Sequence, residues 1–289
     1  MSEEKLPGLW LSASQIKTFD LCIRKWWFLS RMKLPVIKKD HFKFGTILHE
    51  VVERYLNADD VGKDKSGSPV DLHPEGWAEG IDVADAALIK ILVRAAIEEG
   101  VIERWPRRRI EHEFSRVFDG FVLTGFIDVL LPDSVIDHKT TKNMRYAKSE
   151  SGLKKDLQML IYAGELLMQC DEKKTPPPEV LTLRHNVFLK EIRGKTMIRK
   201  TEALVTPDFV ESFWEEEVMP RCGEMVAVDK VFDEKDNQAW KDLPLPENTN
   251  QACNAFGGCP FMSVCHRGEN IPAYRDRLDM IGKREVESR

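Results

Sequence analysis

No stretch of this chain approaches the roughly 18 consecutive apolar residues that a membrane-spanning helix requires. The opening MSEEKLPGLW is acidic where a secretory leader carries an apolar core. Both absences argue against membrane and export, and for a cytoplasmic protein. A surplus of positive charge is missing too. Lys and Arg number 43 against 48 Asp and Glu, a formal net charge of -5, which excludes a uniformly basic nucleic-acid coat but leaves room for a local basic groove. No GxxxxGK[ST] loop is present, so the chain is not a P-loop motor. No nucleophile elbow is present either, which argues against Ser-His-Asp chemistry. His49–Glu53 reads HEVVE, the first half of a zinc-protease HExxH helix, but Glu53 stands where the second His would be. No internal repeat or low-complexity tract interrupts the chain.

What is there is an ordinary globular balance, 42% hydrophobic and 31% charged over 289 residues, long enough to bury a core without disulfides. Ser12 or Ser14 caps a predicted helix over 15–32, with Ile16, Phe19, Ile23, Trp26 and Trp27 as its apolar face. A second helix spans Phe44 to Leu56, a polar loop follows over 57–69, and a third helix over 83–100 closes at Gly100. The period then changes to two, and strands are predicted over 108–118, 121–131 and 134–140. Helix returns from Ser151 to Met168, and Pro176, Pro177 and Pro178 forbid its continuation. Strand candidates over 180–192 and 195–205 flank a turn at 193–195, and Pro207 opens a last helix to Met225. From about Asp233 to Arg267 the chain is loop-rich. The pattern predicts an α/β or α+β fold in one domain over 1–289. A helical part over 1–100 precedes a mixed sheet within 101–232, and the segment 233–289 must be held by something other than its own core.

The most informative segment is GFIDVLLPDSVIDHKTTK. With Pro132 and Asp133 as the turn, Leu131 faces Ser134, and counting outward sets Asp128 opposite Asp137. Opposed side chains lie about 5 Å apart at Cβ, and strand period two puts Lys139 on the face of Asp137. Two carboxylates pressed together on a sheet are destabilising unless a cation lies between them. Oxygen ligands of this kind suit Mg²⁺ or Mn²⁺.

The cysteines carry a second pattern. Cys253, Cys259 and Cys265 recur as C-x5-C-x5-C, one thiol short of a tetrahedral or cluster set, and Cys22 is the natural fourth. Cys170 and Cys222 stand alone and read as small apolar fillers. Two basic runs complete the inventory: Lys139, Lys142, Arg145, Lys148, Lys154 and Lys155, and Arg104, Arg107, Arg108 and Arg109 around Trp105. Beside a hydrolytic metal site such runs read as phosphate tracks.

GFIDVLL followed by VIDHKTT resembles the PD-(D/E)XK nuclease signature in its RecB-like form. That form has a Gly-x-x-x-His helix upstream, matched by Gly45 to His49, and a Gln-x-x-x-Tyr helix downstream, matched by Gln158 to Tyr162. A C-terminal cysteine triplet joined to one N-terminal cysteine is similar to the iron–sulfur members, which include AddB-type nuclease domains and CRISPR-associated spacer-trimming nucleases. Here the chain departs in having Ile23 where the family often has Pro, and a wider spacing of the first two tail cysteines.

The resemblance implies a restriction-endonuclease-like core and a metal-dependent DNA exonuclease of recombination, repair or phage DNA processing. It implies Mg²⁺ or Mn²⁺ held by His49, Asp128 and Asp137, with the His138 carbonyl a further ligand. Lys139 would orient water or stabilise phosphoryl charge, and Gln158 and Tyr162 would position the strand. Cys22, Cys253, Cys259 and Cys265 would hold a 4Fe–4S cluster, with Zn²⁺ as the alternative. Single-stranded or end-containing duplex DNA is the implied partner, together with a recombinase or helicase. Spacer trimming and non-catalytic nucleic-acid binding are the alternatives.

Overall fold

The computed structural model describes residues 8–36, 41–58, 72, 74, 78, 81–190, 198–232, 239–254 and 258–287. The polar loop expected over 57–69 falls almost wholly outside them, and the turn at 193–195 entirely so. In chain order the elements are β1 (Leu9–Leu11), α1 (Ala13–Leu21), α2 (Ile23–Trp26), α3 (His41–Leu56), α4 (Val83–Glu98), β2 (Arg109–Phe118), β3 (Phe121–Leu130) and β4 (Ser134–Thr141). They continue as α5 (Glu150–Leu153), α6 (Leu157–Lys173), β5 (Leu181–Leu189), β6 (Ile198–Val205), α7 (Pro207–Phe213), α8 (Met219–Val231), α9 (Met262–Arg267) and α10 (Ile271–Glu287). The strands form one mixed sheet ordered β1-β3-β4-β5-β6, with β2 also paired to β3. β1–β3 and β4–β5 run parallel, whereas β3–β4 and β5–β6 run antiparallel. Among the described residues no helix is long and apolar enough to cross a membrane.

The chain divides into two compact units, each assembled from separate stretches. The first comprises Met1–Lys38, Arg116–Thr124 and Met219–Arg289; the second comprises Lys39–Ser115 and Gly125–Val218.

In the first unit Ser12 Oγ caps α1 by accepting the Gln15 N–H. The single helix expected over 15–32 is broken at Cys22, whose backbone is extended at φ -169° and whose Sγ accepts the Lys25 N–H at 3.4 Å. Apolar periodicity continues across that break, so the pattern could not reveal it. A π-turn over Trp27–Arg31 buries Trp27 and Phe28. The C-terminal segment supplies apolar anchors of its own, which corrects the expectation that it lacks them. Trp240, Leu243, Phe261, Val264, Ile271 and Tyr274 are all buried. Phe28 meets the rings of Trp240 and Phe261 at 5.2 and 5.1 Å between centroids. The Tyr274 hydroxyl donates to the Pro35 carbonyl at 2.9 Å.

In the second unit α3 and α4 bury Leu48, Val52, Ile89 and Val93 against Val129, Ile136 and Phe188 of the sheet. Side chains alternate along β4. Ile136 and Thr140 turn to the α3 side, where Gly45 leaves room: a Cβ on it would lie 3.1 Å from Thr140 Oγ1. Asp137 and Lys139 turn to α6. The helix expected from Ser151 to Met168 is two, because Asp156 ends the first turn and caps α6 by accepting the Gln158 and Met159 N–H groups. A close fit behind α6 depends on Gly164, whose absent Cβ would sit 2.1 Å from Trp214 Nε1. That indole donates to the Leu160 carbonyl at 2.9 Å.

Candidate active site

The site sits where β3 and β4 part. Their register pairs Leu130 with Val135 and Val129 with Ile136, and the Leu131 N–H donates to Ser134 O at 2.9 Å. One step further the same register sets Asp128 opposite Asp137. There the His138 amide donates to the Asp128 side chain, at 2.6 Å to Oδ2. A side-chain carboxylate thus collects a backbone donor of the neighbouring strand.

Asp137 is 1% exposed and is met from two elements. Lys139 Nζ lies 2.8 Å from each of its oxygens. From α6, Gln158 Nε2 donates to Asp137 Oδ1 at 3.0 Å and to the Tyr162 hydroxyl at 2.9 Å. Gln158 and Tyr162 share a helix face because they are four apart. Burial lowers the affinity of Lys139 for its proton, but the Asp137 carboxylate more than offsets this and raises its pKa. Burial raises the pKa of Tyr162, so its phenol stays protonated. His185 on β5 stands across from Asp137 in the ladder, its Nε2 3.6 Å from Oδ2.

On the other side of Asp128 a second group converges. His49 Nδ1 is 3.6 Å from Asp128 Oδ2, and ligand atoms of His49, Glu111 and Asp128 all lie within 4.8 Å of one another. An open cleft of about 450 Å³ beside them is lined by Gly45, Thr46, His49, Glu50, Glu53 and Glu111. A larger cleft of about 720 Å³ in the first unit is bordered by Lys17, Asp20 and Gln251.

Burial, then Asp137, pushes the Asp128 carboxyl up to about 8. Burial, then Asp128 and Glu53, pushes Glu111 up to about 7. Burial lowers the pKa of His49, leaving a neutral imidazole with a free lone pair. Two carboxyls that resist ionising alone, beside a neutral imidazole, suit a small divalent cation that takes oxygen and nitrogen ligands.

Glu111 is not among the residues that the sequence pattern marks for the site. Its one signal there is an acid inside a strand, and what aims it is a backbone irregularity: φ is +46° in the middle of β2, a conformation that costs a non-glycine residue about 1–2 kcal/mol. Asp137 itself faces Lys139 and Gln158, outside the group formed by His49, Glu111 and Asp128. The His138 ring is turned away from the carboxylates. It is buried with its Nδ1 3.4 Å from Asn186 Nδ2, and burial lowers its pKa strongly.

The basic runs divide. Arg104 donates to Tyr55 O at 3.2 Å, and Arg108 donates to Leu56 O at 2.7 Å and Ala58 O at 3.3 Å. Both fasten the C-terminal carbonyls of α3, in place of the phosphate contacts expected of them. Lys148 pairs with Asp156, and Lys154 pairs with Glu150 at 3.0 Å. Lys142, Arg145 and Tyr146 on the loop after β4 remain exposed.

In the first unit Cys22, Cys253, Cys259 and Cys265 line one small pocket and form no disulfide. The Cys259 N–H donates to Cys253 O at 2.7 Å. Arg24 Nη1 is 3.8 Å from Cys265 Sγ, and His266 Nε2 is 3.7 Å from Cys253 Sγ. Burial raises the pKa values of Cys22, Cys253 and Cys259, and neighbouring thiols raise them further. Cys222 is buried and its thiol is pushed up to about 12 by burial, as suits an apolar filler.

The family model of the PD-(D/E)XK nuclease superfamily matches residues 10–266. The chain belongs to that superfamily, and its mixed sheet with flanking helices is the restriction-endonuclease-like fold. No curated protein matches the sequence. Among solved structures it is similar to a candidate exonuclease from Eubacterium rectale, at 12% identity and a TM-score of 0.49 over 83% of this chain and 90% of that one. It is also similar to the protein SSO0001, at 14% identity and a TM-score of 0.31 over 78% of this chain and 95% of that one. Likenesses this loose carry no argument about function.

Proposed function

We propose that the protein is a Mg²⁺- or Mn²⁺-dependent DNA exonuclease acting in recombination, repair or phage DNA processing, with residues 1–289 as one nuclease domain. The observation that carries this reading is the convergence of His49, Glu111 and Asp128 beside the Asp137–Lys139 pair in a superfamily of nucleases. His49, Asp128 and Glu111 would hold the cation, and Asp137 stands beside that group with Lys139. When bound, the cation supplies positive charge to a phosphate oxygen and lowers the pKa of water.

The chain's own groups do the rest. Lys139 presents a fixed ammonium where charge develops on the phosphoryl oxygens. Asp137 holds that ammonium in place. Gln158 bridges Asp137 and Tyr162 and fixes the wall against which the strand lies. Exposed Lys142 and Arg145 contact phosphates without reading bases. The four cysteines hold a 4Fe–4S cluster, or Zn²⁺ in its place, that joins Cys22 to the C-terminal segment.

Digestion of end-labelled linear DNA and of covalently closed circles tests the activity. Linear DNA should be degraded in Mg²⁺ or Mn²⁺ and spared in EDTA, with circles resistant. Rapid cutting of closed circles would make the enzyme an endonuclease, and cleavage of RNA alone would refute the DNA assignment.

A further inference from the structure

Glu111 reaches the cation site against the normal alternation of its strand. In a regular strand Arg109 and Glu111 would share one face, and Ile110 and His112 the other. Instead Ile110 packs with the α3–α4 core and Glu111 joins His49 and Asp128, two consecutive residues on one side. Arg109, His112 and Phe114 turn to α6. Arg109 feels the charge of Glu165 on that helix, His112 Nε2 lies 2.8 Å from Gln169 Nε2, and Phe114 meets the Tyr162 ring edge-on at 6.1 Å. Two neighbours on one face around a residue with positive φ mark a bulge, the device by which strands re-aim a side chain.

The α6 side of this bulge is a closed polar network. Glu165 is 1% and Gln169 7% exposed. Gln169 Oε1 accepts from Lys173 at 3.2 Å and its Nε2 donates to Glu165 Oε1 at 2.6 Å, which fixes the amide's orientation. That leaves its second N–H for His112 Nε2 at 2.8 Å, a ring nitrogen that also lies 3.7 Å from Glu165 Oε1. The α6 network thus holds His112 on one face while Ile110 and Glu111 share the other, an arrangement that a flat strand cannot give.

We propose that Glu165, Gln169 and His112 form a positioning clamp that holds the β2 bulge and thereby presents Glu111 to the cation. One helix then sets both sides of the site: α6 places Gln158 and Tyr162 against Asp137 near its start, and Glu111 through β2 two turns later. The inference rests on the cation reading of the site.

The test is Mn²⁺ binding to the full chain, followed by electron paramagnetic resonance of free Mn²⁺ so that no cleavage is needed. Gln169→Leu should bind Mn²⁺ about 10-fold or more weakly, the size seen when outer partners of metal ligands are removed, with a native circular-dichroism spectrum. His112→Leu leaves the Gln169–Glu165 bond in place and should behave alike; it carries the test if Gln169→Leu fails to fold. A merely structural network would give losses that add to that of Glu111→Gln. A clamp acting through Glu111 should cost nothing further in that background. Unchanged affinity in both clamp variants, or full additivity, would overturn the clamp while leaving the cation site intact. A wild-type chain that binds no Mn²⁺ would overturn the cation reading and the clamp with it.

Discussion

The carboxylate site of the second unit carries its own cation, whereas the cysteine pocket of the first has little to neutralise it. Lys139 lies against both oxygens of Asp137, and Asp128 takes the His138 amide. Around the thiols the polar partners include long contacts from Arg24 and His266 and backbone N–H groups that meet Cys22 and Cys259. Three of the four thiols hold their protons more tightly than usual. The contrast separates the two uses of metal proposed above. The oxygen site is braced by protein groups, so the cation proposed there would exchange without loss of the fold. The thiol site has less polar bracing, so the metal proposed there would add to the folding free energy of the segment that its apolar anchors already hold.

The largest effect should come from the braced site. Asp137→Ala or Lys139→Ala should lower the cleavage rate by about a thousandfold, the scale set by losing a charge-stabilising group, with DNA affinity largely kept. Asp137→Ala cleaving end-labelled DNA at the wild-type rate would show that the wrong carboxylate has been named.

Next in size is the thiol pocket. Anaerobically purified protein should be brown, with about four irons per chain, and Cys22→Ser should lose the iron and expose the C-terminal segment to protease. Colourless protein with stoichiometric zinc would keep the staple and change its metal. Equal protease resistance without either would erase the contrast between the two sites.

A packing change sharpens the comparison from the other side, since the second unit should depend on fit and not on metal for its fold. Gly164→Ala drives a methyl into the Trp214 indole and should destabilise by about 1–3 kcal/mol, read as a lower melting temperature in metal-free and metal-loaded protein alike. An unchanged melting temperature would mean that α6 moves freely there.

The pH dependence gives a smaller, signed effect. Asp128 at about 8 and Glu111 at about 7 both lie above their values in an unfolded chain, roughly 3.9 and 4.3. The metal-free folded state therefore binds more protons than the unfolded one, and its stability falls as pH rises from about 4 through 8. A cation that needs these groups ionised acts oppositely. Saturating Mn²⁺ should raise the melting temperature more at pH 8.5 than at pH 6; the reverse order would contradict the assignment of the ligands. The smallest change should be Arg145→Ala, which weakens DNA binding uniformly across sequences and reduces the salt slope by about one.

How much of this could be read from sequence follows from how local each feature is. The Asp128–Asp137 register was legible because a two-residue turn leaves one way to close the hairpin, and Leu131 N–H meets Ser134 O as counted. Gln158 and Tyr162 were legible because helical spacing alone puts them together. Glu111 was not, because its direction depends on a bulge set by Glu165 and Gln169, more than fifty residues away. Arg104 and Arg108 misled for a related reason: charge in a sequence says nothing of the α3 carbonyls that take it up. The helix break at Cys22 was hidden by apolar periodicity on both sides. The anchoring of the C-terminal segment was missed because Trp240, Phe261 and Tyr274 are scattered, not periodic.

The most direct measurement is the initial rate on end-labelled linear duplex with Mn²⁺ titrated from zero, for the wild-type chain and for Asp128→Asn. The wild type should be silent in EDTA, rise saturably with Mn²⁺, and release labelled nucleotides from ends, while Asp128→Asn stays near background unless far more Mn²⁺ is present. Cleavage by the wild type that persists in EDTA, or an Asp128→Asn curve that superimposes on the wild-type one, would contradict the account.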